Sequence, residues 1–317
     1  MIVVTPLIAE LRRQYPAARI AVICSLANEL IVRYNQQVDE RLAINFHSPA
    51  GVLKAIVFLR NRRFDFIIDC TPGFSTTNRW IIALGGRGKR SVGWTEPGRR
   101  AFHTVAALQP DRHMVDYYLA LSKTALGMTI PHDPRPTIVA SSEHEQAAQQ
   151  FLSRNPSRGV MVGVNLSAGS VARQWPLEQY RDLVERLSSD PRMSVLLFGA
   201  GRQREWKAIL ADAFPPCIAA PDADILVMSE LIRRLNLLIS PDTSLIHIAS
   251  AWNIPVVGLY GEDNENFRRW QPYRVPSRIL FSHSPLNLDT IEPAVVHHNT
   301  LELLRQVGLP GIVRLES

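Results

Sequence analysis

The segment Ser240-Pro241-Asp242-Thr243-Ser244-Leu245-Ile246-His247-Ile248-Ala249-Ser250 constrains the fold more than any other stretch of the chain. It follows the apolar run Leu235-Asn236-Leu237-Leu238-Ile239 and precedes Ile254-Pro255-Val256-Val257-Gly258-Leu259-Tyr260-Gly261. Two β-rich runs therefore bracket helix-capping residues, which reads as strand, turn, helix, strand. Asp242, Thr243 and Ser244 fall between the end of a strand and the start of a helix, where open α/β sheets bind ligands. Free backbone N–H groups and the helix dipole favour phosphate there. His247 stands one turn further on, on a face that can look back at the ligand. The plainer alternative is a capped helix that carries a buried polar residue.

The rest of the chain repeats this alternation. Apolar residues at helical spacing run from Leu7 to Tyr15 and stop before Pro16. Arg19 to Cys24 reads as a strand, Val52 to Arg60 as a helix, and Phe64 to Asp69 and Ser91 to Trp94 as further strands. A proline-rich break at Pro131-His132-Asp133-Pro134-Arg135-Pro136 precedes helical Glu143 to Arg154, and Asn155-Pro156-Ser157-Arg158-Gly159 reads as a linker. Beyond it come a strand at Gly159 to Leu166, a helix at Leu177 to Leu187 and a strand at Met193 to Phe198. Helices are expected at Arg204 to Phe214 and Met228 to Leu235. Such alternation predicts an α/β chain of parallel sheets with right-handed crossovers. The expected architecture is two Rossmann-like halves, 1–153 and 154–317, facing a central cleft.

A chain of 317 residues can hold two such domains. Cys24, Cys70 and Cys217 are widely spaced and form no CxxC pair, which argues against a disulfide framework or a structural zinc and fits a reducing cytosol. No apolar run reaches the ~18 residues that span a bilayer. Arg12 and Arg13 interrupt any signal-peptide layout, so a soluble, cytoplasmic chain is expected. The formal charge of +6 suits anionic partners. Basic clusters at Arg60-Asn61-Arg62-Arg63, Arg87-Gly88-Lys89-Arg90 and Arg99-Arg100 read by default as solvated loops. They lack the interleaved aromatics of a single-strand nucleic-acid platform.

Two more turns aim at the same place as Asp242. Asn165-Leu166-Ser167-Ala168-Gly169-Ser170 leaves a strand and leads to Arg173-Gln174-Trp175-Pro176. Small residues admit a ligand close to the backbone, and Arg173 can pair with phosphate oxygens. Trp175-Pro176 reads as packing and helix initiation. Phe198-Gly199-Ala200-Gly201 ends the next strand, with Glu205 on the following helix as an acceptor for ribose hydroxyls or an ordinary solvent-facing residue. Gly199 and Gly201 lack the third glycine of a dinucleotide fingerprint.

In their order and spacing these blocks resemble glycosyltransferase family 9, the ADP-heptose:lipopolysaccharide heptosyltransferases of Gram-negative bacteria. The carriers are Ser167 to Ser170 with Arg173 to Pro176, then Phe198-Gly199-Ala200 with Glu205, then Asp242 to Ala249 continuing through Pro255 to Gly261. Thr5-Pro6-Leu7-Ile8 before Arg12 to Pro16 is similar to the family's first helix, and Phe64 to Asp69 to its acceptor-domain strand. The resemblance implies a GT-B fold, with an acceptor domain (1–153) followed by a nucleotide-sugar domain (154–317). It implies inverting, metal-independent transfer of heptose from ADP-heptose to the lipopolysaccharide inner core, with no cofactor. Donor contacts are implied for Ser167, Gly169, Ser170, Arg173, Glu205, Asp242, Thr243, Ser244 and His247. Arg173 stands where the family usually has lysine, which keeps the charge and changes the geometry. Ser244 stands where glycine is frequent.

The family's first strand ends in Gly-Asp, whose aspartate is the proposed general base. Here Met1-Ile2-Val3-Val4-Thr5-Pro6 corresponds to the segment just after it, so that strand and base are expected to lie before Met1. Without them the chain is expected to be poorly stable and inactive, and restoring them to rescue both. A lipid-anchored polyanionic acceptor further implies peripheral inner-membrane contact through the basic loops of the first half. Three other readings stay open. They are a glycosyltransferase using another nucleotide sugar, an inactive nucleotide-sugar binder, and a nucleic-acid binder that rests on charge alone and lacks any base-reading motif.

Overall fold

Strands separated by helices can pair only side by side in the same direction, and every strand pair among the described residues is parallel. The computed structural model describes residues 1–62, 64–73, 75–86, 90–94, 104–106, 111–130, 133–170, 173–261, 264–284 and 287–308. Arg63, Arg87 to Lys89, Arg99-Arg100 and Pro131-His132, singled out above, lie outside them. The chain divides into two compact units, Met1–Val139 and Ala140–Ser317.

In the first unit α1 (Thr5–Gln14) leads to β1 (Ala21–Ser25), α2 (Glu29–Arg33), β2 (Glu40–Ile44), α3 (Pro49–Asn61) and β3 (Phe66–Ile68). There follow α4 (Thr76–Gly85), β4 (Arg90–Trp94), β5 (Thr104–Ala106) and α5 (Met114–Leu126). Pro6 sits in the first turn of α1, where its missing N–H is no loss. β1 pairs with β2, and β3 with β4 and β4 with β5, in two separate sheets. Ile23 from β1 and Ile67 from β3 nevertheless pack on one cluster with Ala55 and Leu59 of α3 and Ile81 of α4.

The second unit begins with α6 (Ser142–Arg154), β6 (Val160–Asn165), α7 (Leu177–Ser188), β7 (Met193–Phe198), α8 (Gln203–Ala213) and β8 (Cys217–Ala219). It continues with α9 (Ile225–Ile232), β9 (Leu237–Pro241), α10 (Ser244–Ala251), β10 (Val256–Tyr260), α11 (Glu265–Trp270), β11 (Ser277–Phe281) and α12 (Pro293–Gln306). The reading from sequence set the boundary after residue 153, whereas α6 belongs to the second unit. The reason is packing: α6 lies on α9, and His144 Nε2 stands 3.3 Å from Asp224 Oδ2, the carboxylate that caps α9.

The second sheet has the order β11-β10-β9-β6-β7-β8. Counted within the unit this is 3-2-1-4-5-6 read from β8, the doubly wound order, and its direction switches between β6 and β9. β7, β9 and β10 are buried throughout, as strands covered on both faces must be. Trp175, Tyr180, Leu183 and Leu187 from α7 and the turn before it fill one face with Val296, Leu303 and Leu304 of α12. Trp175 donates its indole N–H to the Ile291 carbonyl at 3.0 Å, and Pro176 precedes α7, so both act in packing and helix initiation. All three cysteines are free thiols. No described helix is long and apolar enough to cross a membrane.

Candidate functional site

The carboxyl ends of β6 and β9 meet at the switch point, where the crossovers leave in opposite directions and open a crevice. Asn165, the last residue of β6, is buried there with 1% exposure. Its amide Nδ2 donates to Ser240 Oγ and Thr243 Oγ1, both at 3.0 Å, and its Oδ1 accepts the Ser167 N–H at 3.0 Å. Tyr180 donates its hydroxyl to the Asn165 carbonyl at 3.0 Å. One side chain thus fastens the loop after β6 to the loop after β9. In the sequence Asn165 is only the first residue of the Asn165 to Ser170 turn, because its partners lie 75 and 78 residues away.

The loop after β6 is tied on its other side as well. Ser167 Oγ accepts the Ala200 N–H at 2.8 Å, which joins it to the loop after β7. Gln174 Nε2 donates to the Leu166 carbonyl at 3.0 Å, and Gln203 Nε2 donates to Gln174 Oε1 at 2.8 Å. Gly169 and Ser170 are exposed on this frame, and the Arg173 N–H returns to the Ser170 carbonyl at 3.1 Å. A methyl group on Gly169 would stand 3.8 Å from the Arg173 guanidinium. The glycine therefore leaves room directly beside that charge.

Arg173 and Asp242 come together. Arg173 NH1 lies 3.0 Å from Asp242 Oδ2, with the arginine side chain 44% exposed and the aspartate 12%. Burial pushes the Asp242 carboxyl above the ordinary aspartate range, and the Arg173 charge and the Asn266 amide oppose the shift. The Tyr260 phenol, at the end of β10, is pushed well up by its own burial and by the Asp242 charge. A buried carboxylate and a half-exposed guanidinium at a strand end form a polarised pair whose cation can reach solvent.

Thr243 caps α10 by accepting the Leu245 N–H at 3.3 Å, and Ser244 opens the helix exposed. Leu245's N–H is taken by Thr243 Oγ1 and Ile246's by the Thr243 carbonyl at 3.3 Å, which leaves the Ser244 N–H at the helix start to face an anion. His247 sits in the next turn, its ring centroid 5.9 Å from that of Trp270 on α11. Six of the nine residues singled out, Ser167, Gly169, Ser170, Arg173, Asp242 and Thr243, lie on the two loops that Asn165 joins, and Ser244 opens the helix that follows. His247 stands one turn behind them, against Trp270. Glu205 is exposed in the first turn of α8 and has no part in this hydrogen-bond network among the described residues.

No cluster of three or more His, Cys, Asp or Glu side chains that could hold a metal stands among the described residues. The first unit has an open depression of about 560 Å³ lined by Leu26, Glu29, Arg33, Arg41 and Ala43. Its two guanidiniums are both held by Glu29. The chemistry assembled at the β6–β9 switch point has no counterpart there.

Comparison with known proteins gives the chain a family and a fold. The pattern of glycosyltransferase family 9 (heptosyltransferase) matches residues 52–290, which takes in every loop just described. A lipopolysaccharide core heptosyltransferase, OpsX, of Haemophilus influenzae is 23% identical over 224 residues, and the match covers 68% of this chain and 62% of that protein's length. Two solved structures share the fold. A family 9 glycosyl transferase from Veillonella parvula superposes with a TM-score of 0.82 at 19% identity, covering 96% of this chain and 93% of its own. The ADP-heptose lipopolysaccharide heptosyltransferase II of E. coli gives 0.77 at 22% identity, covering 97% and 96%. The fold is GT-B, and the chain belongs to glycosyltransferase family 9.

Proposed function

We propose that the protein transfers heptose from ADP-heptose to the inner core of lipopolysaccharide, with inversion and without a metal. The observation that carries this reading is the Arg173–Asp242 pair, held over the start of α10 at the switch point of the second sheet. The relatives' names supply the sugar and the acceptor, and the second unit is the donor half in this account, the first the acceptor half. Arg173 leaves Asp242 for the donor diphosphate, while the Ser244 N–H and the dipole of α10 meet part of its remaining charge. Asp242 then accepts hydroxyls of the sugar, and Ser167, Gly169 and Ser170 line the path of the diphosphate. As the acceptor oxygen bonds to the anomeric carbon, the bond from that carbon to the phosphate oxygen breaks and ADP departs. The acceptor proton passes to a general base. Fixed positive charge aimed at the leaving diphosphate is the main catalytic lever in such a step.

Incubation with ADP-heptose and a heptose-free inner-core acceptor tests this directly. ADP release with gain of one heptosyl unit on the acceptor, unchanged by EDTA, is expected of the protein carrying the Gly-Asp base motif. Transfer only from a different nucleotide sugar, or loss of transfer on chelation, would replace the donor or the metal-free step.

A further inference from the structure

Tyr260, the last residue of β10, carries a hydroxyl that the fold buries and leaves unbonded. The residue is 3% exposed, and its phenolic oxygen has no hydrogen-bond partner among the described residues. Such a group is unfavourable in a folded protein, because the bond to water that it gives up is not replaced. Packing alone gives no reason for the oxygen. The ring meets Phe267 of α11 edge-on, with centroids 4.8 Å apart, and Phe281 of β11 at 6.4 Å, and a phenylalanine would make both contacts. A methyl group on Gly258 would stand 2.7 Å from the Tyr260 ring, so that glycine provides the seat on which the ring rests.

Strand register sets where this residue stands. β10 runs parallel to β9 with Gly258 opposite Ser240 and Leu259 opposite Pro241, which brings Tyr260 opposite Asp242 at the strand ends. The phenol is raised by its burial and then by the Asp242 carboxylate, while the Arg173 guanidinium opposes the shift, so it lies within electrostatic reach of both. Asp242 has the complementary deficit. Its partners among the described residues are Arg173 at 3.0 Å and the Asn266 amide at 3.5 Å, the limit of a hydrogen bond. A largely buried carboxylate that loses its cation needs another donor. An oxygen without an acceptor thus stands across one strand pair from a carboxylate whose cation is the group that the donor diphosphate would draw away.

We propose that Tyr260 is a positioning residue of the donor site: when Arg173 turns to the diphosphate, the Tyr260 hydroxyl donates to the Asp242 carboxylate and holds it for the sugar. The proposal rests on the donor reading and adds a partner exchange at Asp242, guanidinium in the free protein and phenol in the loaded one.

Calorimetric titration of the full chain with ADP tests it through Tyr260→Phe, which removes one oxygen and keeps the ring. The variant is expected to bind ADP about tenfold more weakly. In the Asp242→Asn background the same substitution should change ADP affinity by less than about twofold, because no buried charge is stranded when Arg173 moves. The melting temperature of ligand-free Tyr260→Phe should equal or exceed that of the wild type, since the oxygen it lacks has no partner there. A merely structural hydroxyl would instead lower that melting temperature and weaken ADP binding equally in both backgrounds, which would overturn the proposal. ADP affinity unchanged by Tyr260→Phe would overturn it as well, and in both cases the wild type still binds ADP and the donor reading stands. A wild type that binds no ADP would overturn the donor reading and this proposal with it.

Discussion

Asp242 and Arg173 show what the proposed donor site costs the fold. The Asp242 carboxyl is held above its ordinary range because burial outweighs the help of Arg173 and Asn266. A raised carboxyl means that the folded state holds its proton more tightly than the unfolded chain. Stability from this group is present at low pH and is lost as pH rises from the ordinary aspartate value through the folded one. Asp242→Asn removes the charge, so its melting temperature should exceed that of the wild type at pH 7. The difference should shrink toward pH 4, while transfer is abolished. A lower melting temperature at pH 7 would show that the ion pair outweighs burial. In the proposed function Arg173 acts on the ligand. Arg173→Ala should weaken ADP binding by about 2–4 kcal/mol, roughly 30- to 1,000-fold by calorimetry, and Arg173→Lys should recover much of it. Unchanged ADP affinity in the alanine variant would take Arg173 out of the site.

At the scale of elements, the decisive joint is the one between β6 and β9. Asn165→Ala would leave the Ser167 N–H without its acceptor and release the hydroxyls of Ser240 and Thr243. The expected cost is ~1–3 kcal/mol, seen as a fall of several degrees in the melting of the second unit, together with weaker ADP binding. A melting curve identical to the wild type would mean that the loops hold their shape without this joint. The strand–turn–helix around Asp242 was legible in the sequence because it is local: an apolar run, a threonine cap and a second apolar run stand within one short segment. β7 was legible at Met193–Phe198 for the same reason. The helix α5 was not, since Met114, Val115, Tyr117, Tyr118, Leu119 and Leu121 bury it on several sides and erase the one-sided period. The three-residue strand β8 is too short to show an alternation. Asn165 was illegible as a joint because only the folded sheet brings its partners to it.

Over the whole molecule, the strand order of the second unit explains why chemistry collects where it does. A sheet wound in the order 3-2-1-4-5-6 has one switch point, and the residues with the most suitable charges stand at it. The resemblance to family 9 implies donor contacts on these loops, and the strand order brings the loops together. Glu205 is the exception. Its position after β7 reads as a ribose acceptor or an ordinary solvent-facing residue, and it stands exposed in the first turn of α8. The most direct test of the account is a crystal structure of the protein with ADP. The diphosphate is predicted at the ends of β6 and β9, over the first turn of α10 and within hydrogen-bonding distance of Arg173. A diphosphate bound elsewhere, with Arg173 still paired to Asp242, would contradict it.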